Sequence, residues 1–315
     1  MTKSIAVRVA LFASAVVLVA ACKGDKSQTA ADAKAADPVF LLESGEEPRA
    51  QLRYQIAAST KAESIMDFGF ASLTTTRDAA TLDVLPGVRL HFVAGPSVKT
   101  AGGNRWDEHV VESRSIIPED MPRRVARDLQ AGAAVLKDVG GSIERDDRGI
   151  VLATDLNERA KRPDIPARLL VMLVNARTTL ADVPLPAEPV GLGARWETRK
   201  QLNLYGFKVS QVNTYTLVGR VGDELKVTTQ QTALPQTVSF PEDGLTIAVE
   251  SYSSTGAGEI INNLHALSTE ATPRGESQSK LTVTSVDGTE TIETERVFEF
   301  QLSNTLVEIP VQSSP

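Results

Sequence analysis

Three histidines, one cysteine and a spread of carboxylates are the groups with which this 315-residue chain could do chemistry. His91, His109 and His265 lie far apart and on separate predicted strands. A serine nucleophile needs a histidine base within hydrogen-bond reach, and such wide separation supplies no pairing by itself. His91 and His109 can meet across neighbouring strands; the plainer reading of each is a surface or satisfied histidine. Asp146-Asp147 sits in the string Asp146-Asp147-Arg148-Gly149, where aspartate is favoured because it bonds its own backbone. Glu290, Glu293, Glu295 and Glu299 decorate a terminal strand, and the last three share one face with Val297. That face reads as solvated, its charges guarding against edge pairing. Two carboxylates run glycoside hydrolysis only in a cleft, usually beside aromatic platforms, and two Trp and four Tyr are few. The chain has no G-x-S-x-G, Walker, H-E-x-x-H, G-x-G-x-x-G or EF-hand pattern. One cysteine excludes an intrachain disulfide and a multi-cysteine zinc site. With 33 Lys+Arg against 40 Asp+Glu, a net charge of −7 argues against a nucleic-acid partner. No catalytic, cofactor-binding or metal-ligating residue is assigned, and no cofactor is expected.

The cysteine itself has a definite setting. Lys3 and Arg8 precede an apolar run from Val9 to Val19, far shorter than the roughly 20 apolar residues of a membrane span. The run ends in Leu18-Val19-Ala20-Ala21-Cys22. This string resembles the bacterial lipoprotein signal, in which an apolar residue and two small residues precede a cysteine. The resemblance implies cleavage before Cys22 and acylation of its thiol and new amine; the alternatives are an ordinary secretory peptide or a short anchor. More than one acyl chain gives stable anchoring, at about 0.8 kcal/mol per buried CH₂. Lys23, in place of the aspartate associated with inner-membrane retention, favours the outer membrane. Residues 23–37 carry no large apolar side chain and read as a tether with a reach of ~20 Å.

From Pro38 the composition is globular. Leu52, Tyr54 and Ile56 alternate with polar residues, as do Met66, Phe68 and Phe70, and Val88, Leu90 and Phe92. A fourth strand runs from Trp106 to Ile117. Such alternation indicates half-buried antiparallel sheet. Pro118-Glu119-Asp120 then opens an amphipathic helix through Met121, Val125, Leu129, Ala133 and Leu136, stopped by Gly140-Gly141. A hairpin, Ser142–Arg145 with Ile150–Thr154, precedes a second helix from about Pro166 to Leu180. Strands then follow near 195–204, 207–219, 223–232, 244–252, 257–269, 278–286 and 289–301, with turns at Gly222, Gly256 and Gly288.

Val183–Trp196 is rich in Pro and Gly and is the best hinge between halves. Gly193-Ala194-Arg195-Trp196 echoes Gly103-Asn104-Arg105-Trp106, each Trp opening a strand. The longer string Leu185-Pro186-Ala187-Glu188-Pro189-Val190-Gly191-Leu192-Gly193-Ala194-Arg195-Trp196 resembles a phrase in an uncharacterised bacterial lipoprotein family, domain of unknown function 6263. In that family too a helix precedes the phrase and a β-rich stretch follows it. The family carries no established activity, so the resemblance supplies no site residue. Physically the phrase reads as architecture: prolines stiffen a connector, glycines turn it and Trp196 anchors the next strand.

These readings converge on an α+β fold of mostly antiparallel β, in curved or meandering sheets of about ten or more strands, with two amphipathic helices in the middle of the chain. The chain divides into a signal (1–21), an acylated cysteine and tether (22–37), an N-terminal half (38–182) and a C-terminal β half (183–315). Cys22 is the one expected functional residue, as acyl acceptor. The expected role is a non-enzymatic envelope lipoprotein, membrane-bound through its anchor, that binds a lipid or apolar ligand or an envelope protein partner. The alternatives are a surface interaction module with a packed core, or a hydrolase.

Overall fold

A computed structural model describes residues 37–305 except 59, 76–79, 120, 164, 166–182, 205–206, 235–237, 243–244, 268 and 286–287. In chain order, β1 (Val39–Glu43), β2 (Ala62–Thr75), β3 (Ala80–Ala94), β4 (Val98–Lys99) and β5 (Asn104–Ser115) lead to helix α1 (Arg123–Ala134). The hairpin β6 (Gly140–Arg145) and β7 (Val151–Leu156) follows. The remainder is β8 (Arg195–Leu204), β9 (Phe207–Val221), β10 (Glu224–Leu234), β11 (Val238–Glu242), β12 (Leu245–Asn263), β13 (Thr269–Ala271), β14 (Arg274–Ser285) and β15 (Gly288–Thr305).

All of these strands join one 15-stranded sheet, whose main path runs β1-β8-β9-β10-β12-β13-β15-β2-β3-β5-β6-β7. β5 shows why the chain chooses strand here: Asn104, Trp106, Glu108 and Val110 point inward while Arg105, Asp107 and His109 point out. Gly222 turns the β9–β10 hairpin at φ +59°, the value a type II′ turn needs at its first central residue. β15 pairs with β2 from Glu293↔Thr75 to Thr305↔Glu63, so strands from both sides of residue 183 alternate in one sheet.

The path does not lie flat. β1 and β6 are ten strand spacings apart, about 48 Å in a flat sheet. Yet Arg148, in the β6–β7 turn, grips Asp37, just before β1, with two hydrogen bonds of 2.7 and 2.9 Å. Leu185 also donates its N–H to Arg148 O, and Tyr54 donates to Asp147 O. The sheet therefore curls until its ends approach, without β1 pairing to β7. One apolar cluster joins the two ends on the inside: Val39, Trp196, Leu217 and Leu225 from one end and Met66, Leu90, Phe92 and Val110 from the other.

The structure corrects the expected fold class. Two amphipathic helices were anticipated in an α+β fold; the described residues contain one, and the architecture is mostly antiparallel β. The segment expected as the second helix, 166–180, lies outside the described residues. α1 is also shorter than its sequence pattern implied. Pro122 disfavours helical backbone at Met121, so the helix starts only at Arg123 and has no acidic residue in its first turn. Its apolar stripe is weakly used: only Ala133 is buried, and Val125 is 45% exposed. Polar contacts hold it to β5 instead, with Ser113 and Ser115 hydroxyls donating to Ala133 O and Leu129 O.

Other expectations also fail locally. Leu52 and Ile56 are buried but belong to no strand; Tyr54 and Gln55 send their N–H groups to Asp147 O and Leu264 O. Pro86-Gly87 lies inside β3 as a bulge opposite Gly69, where the missing proline donor is tolerated. Gly256 is no turn but the middle of β12, paired to Gln231 on one side and Gly275 on the other. From Glu293 onward β15 is not an edge, so Glu293, Glu295 and Glu299 guard none; β14 and β2 flank them. Val183–Trp196 is not an open hinge, since Val183, Leu185, Val190, Ala194 and Trp196 are all buried.

Candidate functional site

Cys22, the expected acyl acceptor, lies outside the described residues. The histidines do not converge. His91 on β3 meets Glu63 on β2 at 3.2 Å, and His265 meets Asp223 at 3.5 Å on the surface. His109 pairs in register with Val93, not with His91. Asp146 does what its turn position implied: its Oδ1 accepts from Arg148 N and Ile150 N.

A concavity of about 560 Å³ opens on the outer side of β5–β7. Its floor is a cross-strand row, Asp107↔Ser142↔Asp155. Arg105 reaches diagonally over that row, donating to Ser142 Oγ at 2.8 Å and standing 3.7 Å from Asp155. His109 and Asp138 line the rim. The hydroxyl is thus engaged by a guanidinium, which carries no lone pair to accept a proton. The arrangement can bind a polar group, but it does not activate a nucleophile. Among the described residues, no group of three His, Cys, Asp or Glu is placed to hold a metal ion.

A second polar feature lies inside. The inward face of β9 runs Val209, Gln211, Asn213, Tyr215 and Leu217, all buried. The facing residues of β8 are Trp196, opposite Tyr215, and Thr198, opposite Asn213. Trp196 and Tyr215 stack with centroids 5.9 Å apart, and Trp196 Nε1 donates to Pro184 O at 2.7 Å. On the next rung the chemistry changes. Gln211 Nε2 donates to Asn213 Oδ1 at 2.8 Å, which turns the Asn213 amide nitrogen away. That nitrogen and Thr198 Oγ1 are buried without a hydrogen-bond partner. Buried polar atoms are rarely left so, because each costs about 1–3 kcal/mol. This rung holds no charged or nucleophilic group, and its sequence signal is slight: Thr198, Gln211 and Asn213 alternate with the stacked Trp196–Tyr215 pair and Val209 on the inward faces of β8 and β9.

No protein-family model matches the chain, and no curated protein does. Among solved structures, Pseudomonas aeruginosa OccK8 (OprE) is 7% identical, covering 80% of this chain and 100% of that one, at a TM-score of 0.20. Pseudomonas aeruginosa OccK11 (OpdR) is 6% identical over 81% and 100%, at 0.22. A mutant porin of Rh. blastica is 9% identical over 75% and 99%, at 0.18. At these scores the likeness carries no argument about fold or role.

Proposed function

We propose that this chain is a lipid-anchored protein of the bacterial cell envelope, held at the outer membrane through Cys22, whose β body binds an apolar or amphipathic ligand without catalysing a reaction on it. The observation that carries the reading is the Asp37–Arg148 contact, which brings the two ends of the sheet together around an apolar interior. A curved antiparallel sheet around such an interior is a common way for β proteins to hold apolar molecules. The sequence Leu18–Cys22 supports the anchor, and the first described strand starts at Val39, seventeen residues beyond the cysteine. The partner-binding alternative keeps the outer concavity of β5–β7 as its contact surface.

Two experiments test this. Cys22→Ala should move the protein from the membrane to the soluble fraction; retention in membranes overturns the anchor. Native mass spectrometry of the protein extracted from its own envelope should show a retained lipid-mass adduct. An adduct-free protein that also takes up no apolar probe overturns ligand binding.

A further inference from the structure

Large apolar side chains exposed singly are ordinary on a folded protein, but a group of them calls for a partner. One such group lies on the surface where the chain enters the sheet. Val39 turns inward at the start of β1, while Phe40 and Leu42 turn outward. Glu46 donates its N–H to Leu192 O, and Gly193 donates to Leu217 O, so the connector leading into β8 runs between the end of β1 and β9. Leu192 and Val218 thereby join Phe40 and Leu42 on one stretch of surface, and all four are 44–47% exposed. Two arginines of β8 stand among them. The Arg199 guanidinium lies over the Phe40 ring, 5.5 Å from its centroid, and Arg195 donates to the Glu43 carboxylate at 2.8 Å.

We infer that this stretch is the seat of the body on the membrane, with Phe40, Leu42, Leu192 and Val218 entering the interface of the leaflet that holds the acyl anchor. This rests on the reading of Cys22 as acyl acceptor and names the face that the anchored body turns to the lipid. The length of the intervening chain favours a lipid occupant over a protein one. β1 starts seventeen residues beyond Cys22, and a flexible tether of that length has an r.m.s. reach of ~20 Å. The anchored body is therefore held close to the bilayer by the end from which β1 starts, and Phe40 and Leu42 are the first exposed large apolar residues after the tether. The chemistry of the stretch fits an interface. Its apolar side chains can enter the boundary between headgroups and acyl chains, while the arginines lay their stems along that boundary and keep their charge among the headgroups.

The test uses the full acylated chain in phosphatidylcholine vesicles, with and without bromine on the upper part of the acyl chains. Phe40→Trp places an indole at the seat. Gln278→Trp places one at an exposed position of β14, which pairs with β12 and β15 near the middle of the strand order and so lies across the curl from β1. Trp106 and Trp196 are buried and give a constant background. Emission of the Phe40→Trp chain should fall about twofold in brominated vesicles, since apolar groups at such a seat reach roughly 5–10 Å into the interface. Emission of the Gln278→Trp chain should not change. Adding Leu42→Thr and Val218→Thr, which keep strand-forming side chains, should remove most of the quenching from the Phe40→Trp chain, and a cooperative urea transition shows that this variant folds. A vesicle-bound Phe40→Trp chain quenched no more than the Gln278→Trp chain, or quenching that survives both threonine changes, overturns the seat and leaves the anchor intact. Emission that is unquenched in vesicles but shifts to the blue as protein concentration rises in detergent assigns the face to a second copy and overturns the seat. A chain that does not stay with the vesicles overturns the anchor and the seat together.

Discussion

Asp37 and Arg148 meet in a two-bonded ion pair although the strands beside them stand at opposite ends of the sheet order. The Arg148 hydrogen bonds hold the Asp37 carboxyl below the ordinary aspartate range, aided by the Val39 N–H and opposed by partial burial. The folded protein therefore protonates this group less readily than the unfolded chain. Its contribution is complete above about pH 4, the unfolded value, and is lost as pH falls through the lower folded value. Asp37 is 40% exposed, so the pair contributes less than about 1 kcal/mol. Asp37→Asn should lower the melting temperature by a few degrees at neutral pH and low salt, with the gap closing in strong acid. Melting curves that coincide at neutral pH would show that the closure contributes nothing to stability.

How much of this was legible beforehand depended on the range of the interaction. β8 is legible at its full extent because Trp196 to Leu204 alternates locally and the Arg195-Trp196 start follows a glycine-rich connector. The Asp146 turn was legible for the same reason. The role of Gly256 was not, because a glycine that ends a strand and one that sits between two flanking strands look alike until the partners are known. Glu293, Glu295 and Glu299 look like edge guards in the sequence because their second neighbour, β2, lies more than two hundred residues earlier in the chain. Leu52 and Ile56 alternate as a strand would, but their backbone partners, Asp147 and Leu264, come from different elements. The inner rung was hidden because Thr, Gln and Asn carry no signature of their own; only burial makes them informative.

The connector before β8 should prove intolerant at one atom. Gly191 donates its N–H to Ser44 O and accepts from Ala194 N. A Cβ placed on it would stand 1.8 Å from Glu46 O, a backbone atom that cannot step aside without moving the segment that Arg53 and Gln51 tie to Pro186 and Ala187. Gly191→Ala should destabilise by about 3 kcal/mol or more, as overpacking against backbone does. Gly193→Ala is the comparison: no atom lies within 4 Å, so its cost is confined to the positive φ of 78°. Urea denaturation of the two variants checks the order, and equal midpoints would refute it.

α1 is attached to β5 by serine hydroxyls more than by apolar surface, and that attachment should be separable from the sheet. Ser113→Ala removes the 2.7 Å bond to Ala133 O at a buried position. The expected loss is about 1–2 kcal/mol, felt first as faster amide exchange in residues 123–134. Unchanged exchange in the helix, with slowed or unaffected melting, would show that the hydroxyl is not what seats it.

Trp106 and Trp196 follow the same Gly-x-Arg spacing and open comparable strands, yet their indole nitrogens differ in situation. Trp196 Nε1 donates to Pro184 O, and its ring is fully buried against Tyr215. Trp106 Nε1 is buried without a partner, and its ring lies under the Arg145 guanidinium at 4.9 Å. Phenylalanine keeps an aromatic face but no donor. At position 196 it leaves Pro184 O without its hydrogen bond and opens a gap beside Tyr215, for a loss of about 2–4 kcal/mol. At position 106 it removes a donor that satisfies nothing and retains a ring for Arg145, for a loss of about 1 kcal/mol or less. The measurement is the shift in urea midpoint at unchanged slope for Trp196→Phe and Trp106→Phe. A Trp106→Phe loss equal to that of Trp196→Phe would mean that ring volume, and not the hydrogen bond to Pro184, is what each tryptophan contributes.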